Sequence, residues 1–323
     1  IRETTLKPSA SRYHLATGTR VVPYRDALSP GSPYNASAII TDFESVIRSF
    51  GPTIVMFPSS LDLNPDHQAA YLYVTAALHD LGANPERYTY LVHQRNFPVP
   101  RLYSPSAILA PPSFVTSLPV ALYTLPLSTA ETRLKYRATL LYQSQTDVSY
   151  GLLASFARRN ELFLADDHLH LSLETIPFFL IPTDFMLQKV GRNFELRSLT
   201  ASKPTQTTLR LALRSPAVPS ADSVIVVSIF PLTDGIPFAE QPKIVVTLQR
   251  GQQADVVDLT SGSSLMNRVT TTDQGTSVTI DIDIPDVAKA SLLILHVEAG
   301  YRDLELYSTP WQVFRMSQGN SAD

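Results

Sequence analysis

The sequence has no cysteine, and only 12 of its 323 residues are glycine. Without cysteine there are no disulfides, no thiolate metal ligands and no thiol nucleophile. The compartment stays open on this count, because many exported bacterial proteins also lack cysteine. Charge is sparse as well: 26 Lys and Arg stand against 29 Asp and Glu, a net charge of −3. So even a balance argues against a nucleic-acid partner, since such proteins neutralise phosphates with clustered cations. No apolar run approaches the roughly 20 residues of a membrane helix. The most apolar stretches, Ile176–Ile181, Ser223–Phe230 and Leu292–Leu295, have strand or core length. No transmembrane segment is expected; the sequence starts at Ile1 and itself shows no basic-then-apolar leader region, so processing or an omitted upstream part is expected.

The sequence does have 44% hydrophobic residues and 25 prolines, enough apolar surface for a buried core. The length suggests two domains. Low charge and abundant proline favour an exported or cell-envelope-associated bacterial protein. Residues 1–35 are rich in Pro and Gly and read as irregular, with one short strand at Arg20–Tyr24. Ile40, Phe43, Ile47 and Phe50 then mark one helix face between Ser37 and the stop at Gly51-Pro52. Thr53–Pro58 is a continuous apolar run, as in a parallel strand covered on both faces. Asn64-Pro65 opens a second helix, with Ala70, Val74, Ala77, Leu78 and Leu81 inward and Gly82 ending it. Tyr88–His93 is the next strand, so helix and strand alternate as in an open α/β sheet. Residues 96–126 read as a long covering loop. Ser128 to Glu131 is a capping box whose helix turns Leu134, Ala138 and Leu141 inward, and a further helix is expected from Tyr150 to Arg159.

Beyond about Asn193 the grammar becomes β-rich, with runs at Thr208–Leu213, Ser223–Phe230, Lys243–Gln249, Ser277–Ile284, Ser291–Glu298 and Trp311–Met316. Val278, Ile280, Ile282 and Ile284 alternate with polar residues, the period of a half-exposed antiparallel strand. Strands at this spacing suggest a β-sandwich, with the hinge between domains near Val190–Asn193.

One segment concentrates chemistry. Asp62-Leu63-Asn64-Pro65-Asp66-His67 follows the buried strand directly. It places two carboxylates, an amide and an imidazole at a strand's carboxyl end and a helix's first turn, where open α/β sheets bind ligands. The helix N–H groups favour anions there, and His93, ending the next strand, can line the same crevice. The plainer reading of the same residues is a helix cap, Asp62 and Asn64, with His67 in solvent.

The segment P-S-S-L-D-L-N-P-D-H-Q-A-A-Y-L, followed by Y-L-V-H-Q-R-N-F-P-V-P, resembles the PIG-L/LmbE-like family of zinc-dependent de-N-acetylases. So do L-P-L-S-T-A-E-T-R-L-K-Y-R-A-T-L-L-Y-Q-S-Q-T and S-F-A-R-R-N-E-L-F, so that the likeness spans roughly Val21 to Phe163. The resemblance implies a Rossmann-like (LmbE-like) α/β domain over 1–190, followed by the all-β sandwich domain over 193–323. It implies a hydrolase that removes N-acetyl groups from an amino sugar or glycoconjugate, with zinc-activated water as nucleophile. By the same resemblance His67 is a metal ligand and Asp66 and Asp62 support it. Asn64 and His93 contact the oxyanion or the substrate.

The family's first motif, H-P-D-D-E or close to it, is absent from this sequence. It supplies the remaining ligands and the general base, which leaves His67 as the one recognisable zinc ligand. Two accounts follow. Either a preceding segment carries the motif and the first strands of the sheet, or the chain is a catalytically inactive relative serving as a binding or structural subunit of a cell-surface assembly. A sheet lacking its first strands exposes an edge that a protein partner or the preceding segment must cover. Asp167, His168 and His170 form a polar turn in the wrong order for the motif. Tyr71, Tyr73, Tyr88, Tyr90 and Phe97 read as packing or as sugar-stacking rings. Arg158-Arg159 reads as a helix end, and His14 and His79 have no constellation. His296 reads as a strand residue of the core or edge.

Overall fold

A computed structural model describes residues 17–118, 120–146, 151–166, 169–171, 176–177, 181–182, 198–214, 222–249, 251–301 and 304–316. The hinge expected at Val190–Asn193 lies outside them, as do His14, Asp167 and His168. The described residues fall into two compact units. One comprises 52–71 with 85–166, the other 17–51, 72–84 and the residues from 169 onward. No described helix is long and apolar enough to cross a membrane.

Helix α1, Ala36–Phe50, begins where the Asn35 side chain accepts from Ala38 N–H at 2.8 Å. It ends where Gly51 turns left-handed, with φ +60°. Ala36 and Ile40 are buried, but Phe50, expected inward, is 81% exposed because it stands on the last turn beside the cap. Helix α2, Pro65–Asp80, starts on Asn64, whose Oδ1 accepts from Asp66 N–H at 2.8 Å. Every residue from Tyr71 to Leu78 is buried, so α2 has no solvent face over those two turns and its apolar stripe is wider than the five positions expected.

The first unit is built on a four-stranded sheet of β1 (Ile54–Pro58), β2 (Glu86–Tyr90), β3 (Leu122–Pro126) and β4 (Asn160–Ala165), in the order β1-β2-β4-β3. β1 and β2 are parallel, from Ile54↔Glu86 to Pro58↔Tyr90, while β4 runs antiparallel to both β2 and β3. Strand β1 was expected to be covered on both faces. Among the described residues it is an edge strand with β2 as its one neighbour, and Ile54 and Met56 are 47% and 53% exposed. β3 lies inside the stretch expected as loop. Its residues are mostly exposed and two prolines close by interrupt any pattern, so it gives little signal. β2 ends at Tyr90, three residues before the expected end, because the amides of Val92 and His93 turn toward Asp62 instead of a neighbouring strand.

Helix α3, Thr129–Leu140, carries the expected capping box: Glu131 N–H donates to Ser128 Oγ, and Ser128 N–H to Glu131 Oε2 at 2.7 Å. Its inward face is not the apolar one expected. Leu134, Ala138 and Leu141 are exposed, and Thr132 is buried, donating its hydroxyl to the carbonyls of Ser128 and Arg158. A short helix α4 (Gln143–Thr146) follows. The helix expected from Tyr150 to Arg159 is only a 3-10 turn at Leu153–Phe156. Arg158 leaves it to point inward, 1% exposed. It donates through Nε to Ser155 O (2.7 Å), Nη1 to Val99 O (3.1 Å) and Ile108 O (3.3 Å), and Nη2 to Pro100 O (2.5 Å).

The second unit is dominated by strands: β5 (Leu169–Leu171), β6 (Ile176–Pro177), β7 (Ile181–Pro182), β8 (Ser198–Ser202), β9 (Thr208–Arg214), β10 (Ser223–Leu232) and β11 (Ile244–Gln249). They continue with β12 (Asp255–Asp258), β13 (Ser263–Ser264), β14 (Val269–Asp273), β15 (Ser277–Asp283), the short helix α5 (Pro285–Lys289), β16 (Leu292–Tyr301), β17 (Leu304–Ser308) and β18 (Gln312–Met316). One sheet runs β13-β12-β11-β10-β16-β17-β7, with β18 between β16 and β5, and the other runs β14-β15-β9-β8-β6. Leu209, Leu211, Ile280 and Ile282 of the second sheet share one core with Val227, Ile229, Val246, Leu293 and Leu295 of the first. Each such side chain stabilises the fold by about 1.5–3 kcal/mol relative to exposure. His296, read as a core or edge residue, is buried, its ring stacked on Trp311 at 4.5 Å.

Candidate metal centre

Because β1 and β2 are parallel, their carboxyl ends lie on the same side of the sheet. The turn after β1 and the loop after β2 are tied together there. Ser59 N–H donates to Tyr90 O at 2.8 Å and Leu63 N–H to His93 O at 2.9 Å. Gln94 Nε2 donates to Leu61 O, and Gln68 Nε2 to Asp62 O at 2.8 Å. These clamps bring Asp62 and His93 side by side, and α2 adds His67 from its first turn.

Asp62 has a fully buried side chain. Its Oδ1 accepts from Asn64 N–H (2.9 Å) and lies 3.2 Å from Nδ1 of His93. Its Oδ2 accepts from Val92 N–H (2.8 Å) and His93 N–H (3.0 Å) and lies 3.1 Å from Nδ1 of His67. Burial alone pushes this carboxyl up. The His67 imidazole and the N–H groups of Asn64, His93 and Val92 outweigh burial and hold it below the usual carboxylate range. It is therefore an anion at neutral pH. The two rings meet edge to face, centroids 4.7 Å apart, and remain partly open to solvent.

Asp62, His67 and His93 can hold a metal ion: one ligand atom from each lies within 4.8 Å of the others. The two contacts, 3.1 Å from Oδ2 to His67 and 3.2 Å from Oδ1 to His93, use different oxygens of Asp62, and each taken singly is close to the roughly 3.3 Å between two ligand atoms about 2.0–2.1 Å from a tetrahedral zinc. The buried Nδ1 of His67 makes no hydrogen bond. It faces Asp62 Oδ2 at 3.1 Å but off the line of a directed N–H···O bond. A buried ring nitrogen so placed beside an ionised carboxylate suits a cation between them. The expectation of a single ligand in this chain is therefore corrected, because the turn after β1 and the loop after β2 converge.

The side chains of Asn64 and Asp66 are not part of this trio, although Asn64 N–H donates to Asp62. The side-chain oxygen of Asn64 caps α2, as in the plainer reading. Asp66 is exposed in the first turn of α2 and is not one of the group. Most of the aromatic side chains pack. Tyr71 lies against Phe57 at 5.7 Å and donates to Asp166 Oδ1 at 3.0 Å. Phe97 meets Phe156, and Tyr88 meets Tyr123. Tyr90 is the one electrostatically coupled to the trio: burial, and then the charge of Asp62, raise its hydroxyl pKa. Sequence reasoning missed Ser59, Gln68 and Gln94, whose work is to fix backbone; no spacing or residue type announces that role.

No family model matches the sequence, and no curated protein is found similar to it.

Proposed function

We propose that Asp62, His67 and His93 form a zinc site at the carboxyl ends of β1 and β2, in a Rossmann-like α/β domain of PIG-L/LmbE type. We propose further that this site hydrolyses N-acetyl groups of an amino sugar or glycoconjugate. The observation that carries the reading is the convergence of the three groups, with His67 Nδ1 buried and without a hydrogen bond. The likeness of the segment from Val21 to Phe163 to that family supplies the reaction. A zinc ion there would polarise the amide carbonyl and acidify a bound water enough for attack near neutral pH. The chain's own residues supply the rest. Asp62 fixes the loop that carries His93 by accepting the backbone N–H groups of Val92 and His93. Asn64 spends its Oδ1 on the cap, so the amide nitrogen is what it has to donate to an oxyanion. Asp66, solvent-facing one residue from His67, is the carboxylate available to take and return a proton.

The test is zinc content after dialysis together with acetate release from N-acetylglucosamine conjugates. The reading expects stoichiometric zinc, lost in His67→Ala and His93→Ala, and acetate release that falls with it. Zinc retained undiminished in both variants overturns it.

A second reading is favoured by the exposed edge of β1, where Ile54 and Met56 face solvent. An unshielded apolar strand edge invites another strand, as in a binding or structural subunit. That reading expects no acetate release and a stable complex with another chain in size-exclusion chromatography.

A further inference from the structure

The β-rich unit contains a cavity of about 330 Å³ that the metal-site reading does not use. It opens between the two sheets, where β10 and β11 of one face β14 and β15 of the other. Its floor is aliphatic: Ile225, Leu248, Ala254, Val269 and Val278. Leu248 and Ala254 belong to the shared core, and Ile225, Val269 and Val278 pack against that core while remaining only partly buried. Its rim is polar and exposed, with the amides of Gln252 and Gln253 on one side and Thr271 and Asp273 of β14 on the other. Asp273 is held in place by Gly275 N–H, which donates to its Oδ1 at 2.7 Å.

The alternation of β14 explains the shape. Val269, Thr271 and Asp273 lie on one face of the strand, so the same face grades from apolar to polar toward the turn at Gly275. Three branched aliphatic side chains with one side on the core and the other on a solvent-accessible gap gain from an apolar occupant. A volume of about 330 Å³ is within the usual size of small-ligand pockets. Amides and a hydroxyl at the mouth suit a head group rich in hydroxyls, which both donates and accepts hydrogen bonds.

We propose that this cavity binds a neutral amphiphile of the alkyl-glycoside kind, its aliphatic chain on the Ile225–Val278 floor and its polyhydroxylated head at the rim. The site is independent of Asp62, His67 and His93 and stands whether or not they bind zinc.

Isothermal titration of the full chain with n-octyl β-D-glucoside, below its critical micelle concentration, tests this. Methyl β-D-glucoside serves as head alone and hexane-1,6-diol as a chain without the sugar. Saturable binding of the octyl glycoside is expected, with each of the other two at least about tenfold weaker. Thr271→Trp and Gln252→Trp, exposed positions on opposite sides of the mouth, are each expected to weaken the octyl glycoside at least about tenfold, with melting temperature unchanged. Absence of saturable heat overturns the proposal. So does methyl glucoside binding equal to the octyl glycoside, or binding undiminished in both tryptophan variants.

Discussion

Asp62 and His93 are 31 residues apart in sequence, yet one carboxylate of Asp62 takes the backbone N–H of His93 at 3.0 Å on one oxygen and lies 3.2 Å from its ring Nδ1 on the other. A single side chain thus fixes both the loop that carries the imidazole and the rotation of the ring. Asp62→Asn keeps the shape but replaces one acceptor oxygen with a donor, facing either Asn64 N–H or the N–H groups of Val92 and His93. Under the proposed zinc site, zinc affinity is expected to fall by at least about tenfold. Urea denaturation is expected to show a loss of about 2–3 kcal/mol for the orphaned buried donors. A variant that is destabilised but binds zinc like wild type would leave Asp62 with a purely structural role.

Arg158 is a buried cation held by four carbonyl oxygens, those of Val99, Pro100, Ile108 and Ser155. The planar fork reaches all four at once, and the point charge of lysine does not. Arg158→Ala is expected to cost about 3 kcal/mol, because four buried acceptors lose their donor. Arg158→Lys should recover less than half of that. Both are read from urea midpoints, and equal stability of Arg158→Lys and wild type would show the fork geometry to be dispensable.

On α3 the sequence pattern and the structure disagree, and the disagreement is measurable. Leu134 and Leu141 are 64% and 81% exposed, while Thr132 is 1% exposed and bonded to two carbonyls. Leu134→Ser and Leu141→Ser are expected to change stability by no more than about 0.5 kcal/mol. Thr132→Ala is expected to cost about 1–2 kcal/mol. The reverse order would restore the apolar face.

How far the sequence could be read follows from such cases. The capping box at Ser128 and Glu131 and the cap at Asn64 are local, settled by backbone hydrogen bonds within one turn, and both were legible. The alternation at Ile280 and Ile282 was legible too, because one face of β15 is buried in a core and the other is not. Thr132 was not, since its burial depends on the carbonyl of Arg158, 26 residues away. The trio was legible only in part. Asp62, His67 and His93 were all singled out, but only His67 as a ligand; that the three meet depends on the pairing of β1 with β2, which no spacing along the chain reports.

Lys243 offers a test by pH. Its ammonium is buried and donates to Phe238 O at 2.6 Å and Gln241 O at 3.0 Å. Burial lowers its pKa to about 8, with the charges of Asp258 and Asp80 pulling it back toward the usual value. The unfolded chain keeps an ordinary lysine near 10.5. Between these two values the unfolded state binds the more protons, so this group makes the folded state more stable as pH rises. Below about pH 8 both states are protonated and the cost of burying the charge is carried in full. Wild type is expected to gain about 2 kcal/mol relative to Lys243→Met between about pH 8 and about pH 10. Comparing the two slopes by urea denaturation cancels the other lysines and tyrosines, which titrate in both proteins. A parallel pH dependence in the two would mean that Lys243 keeps an ordinary pKa, with its ammonium better satisfied by the carbonyls around it than burial alone implies.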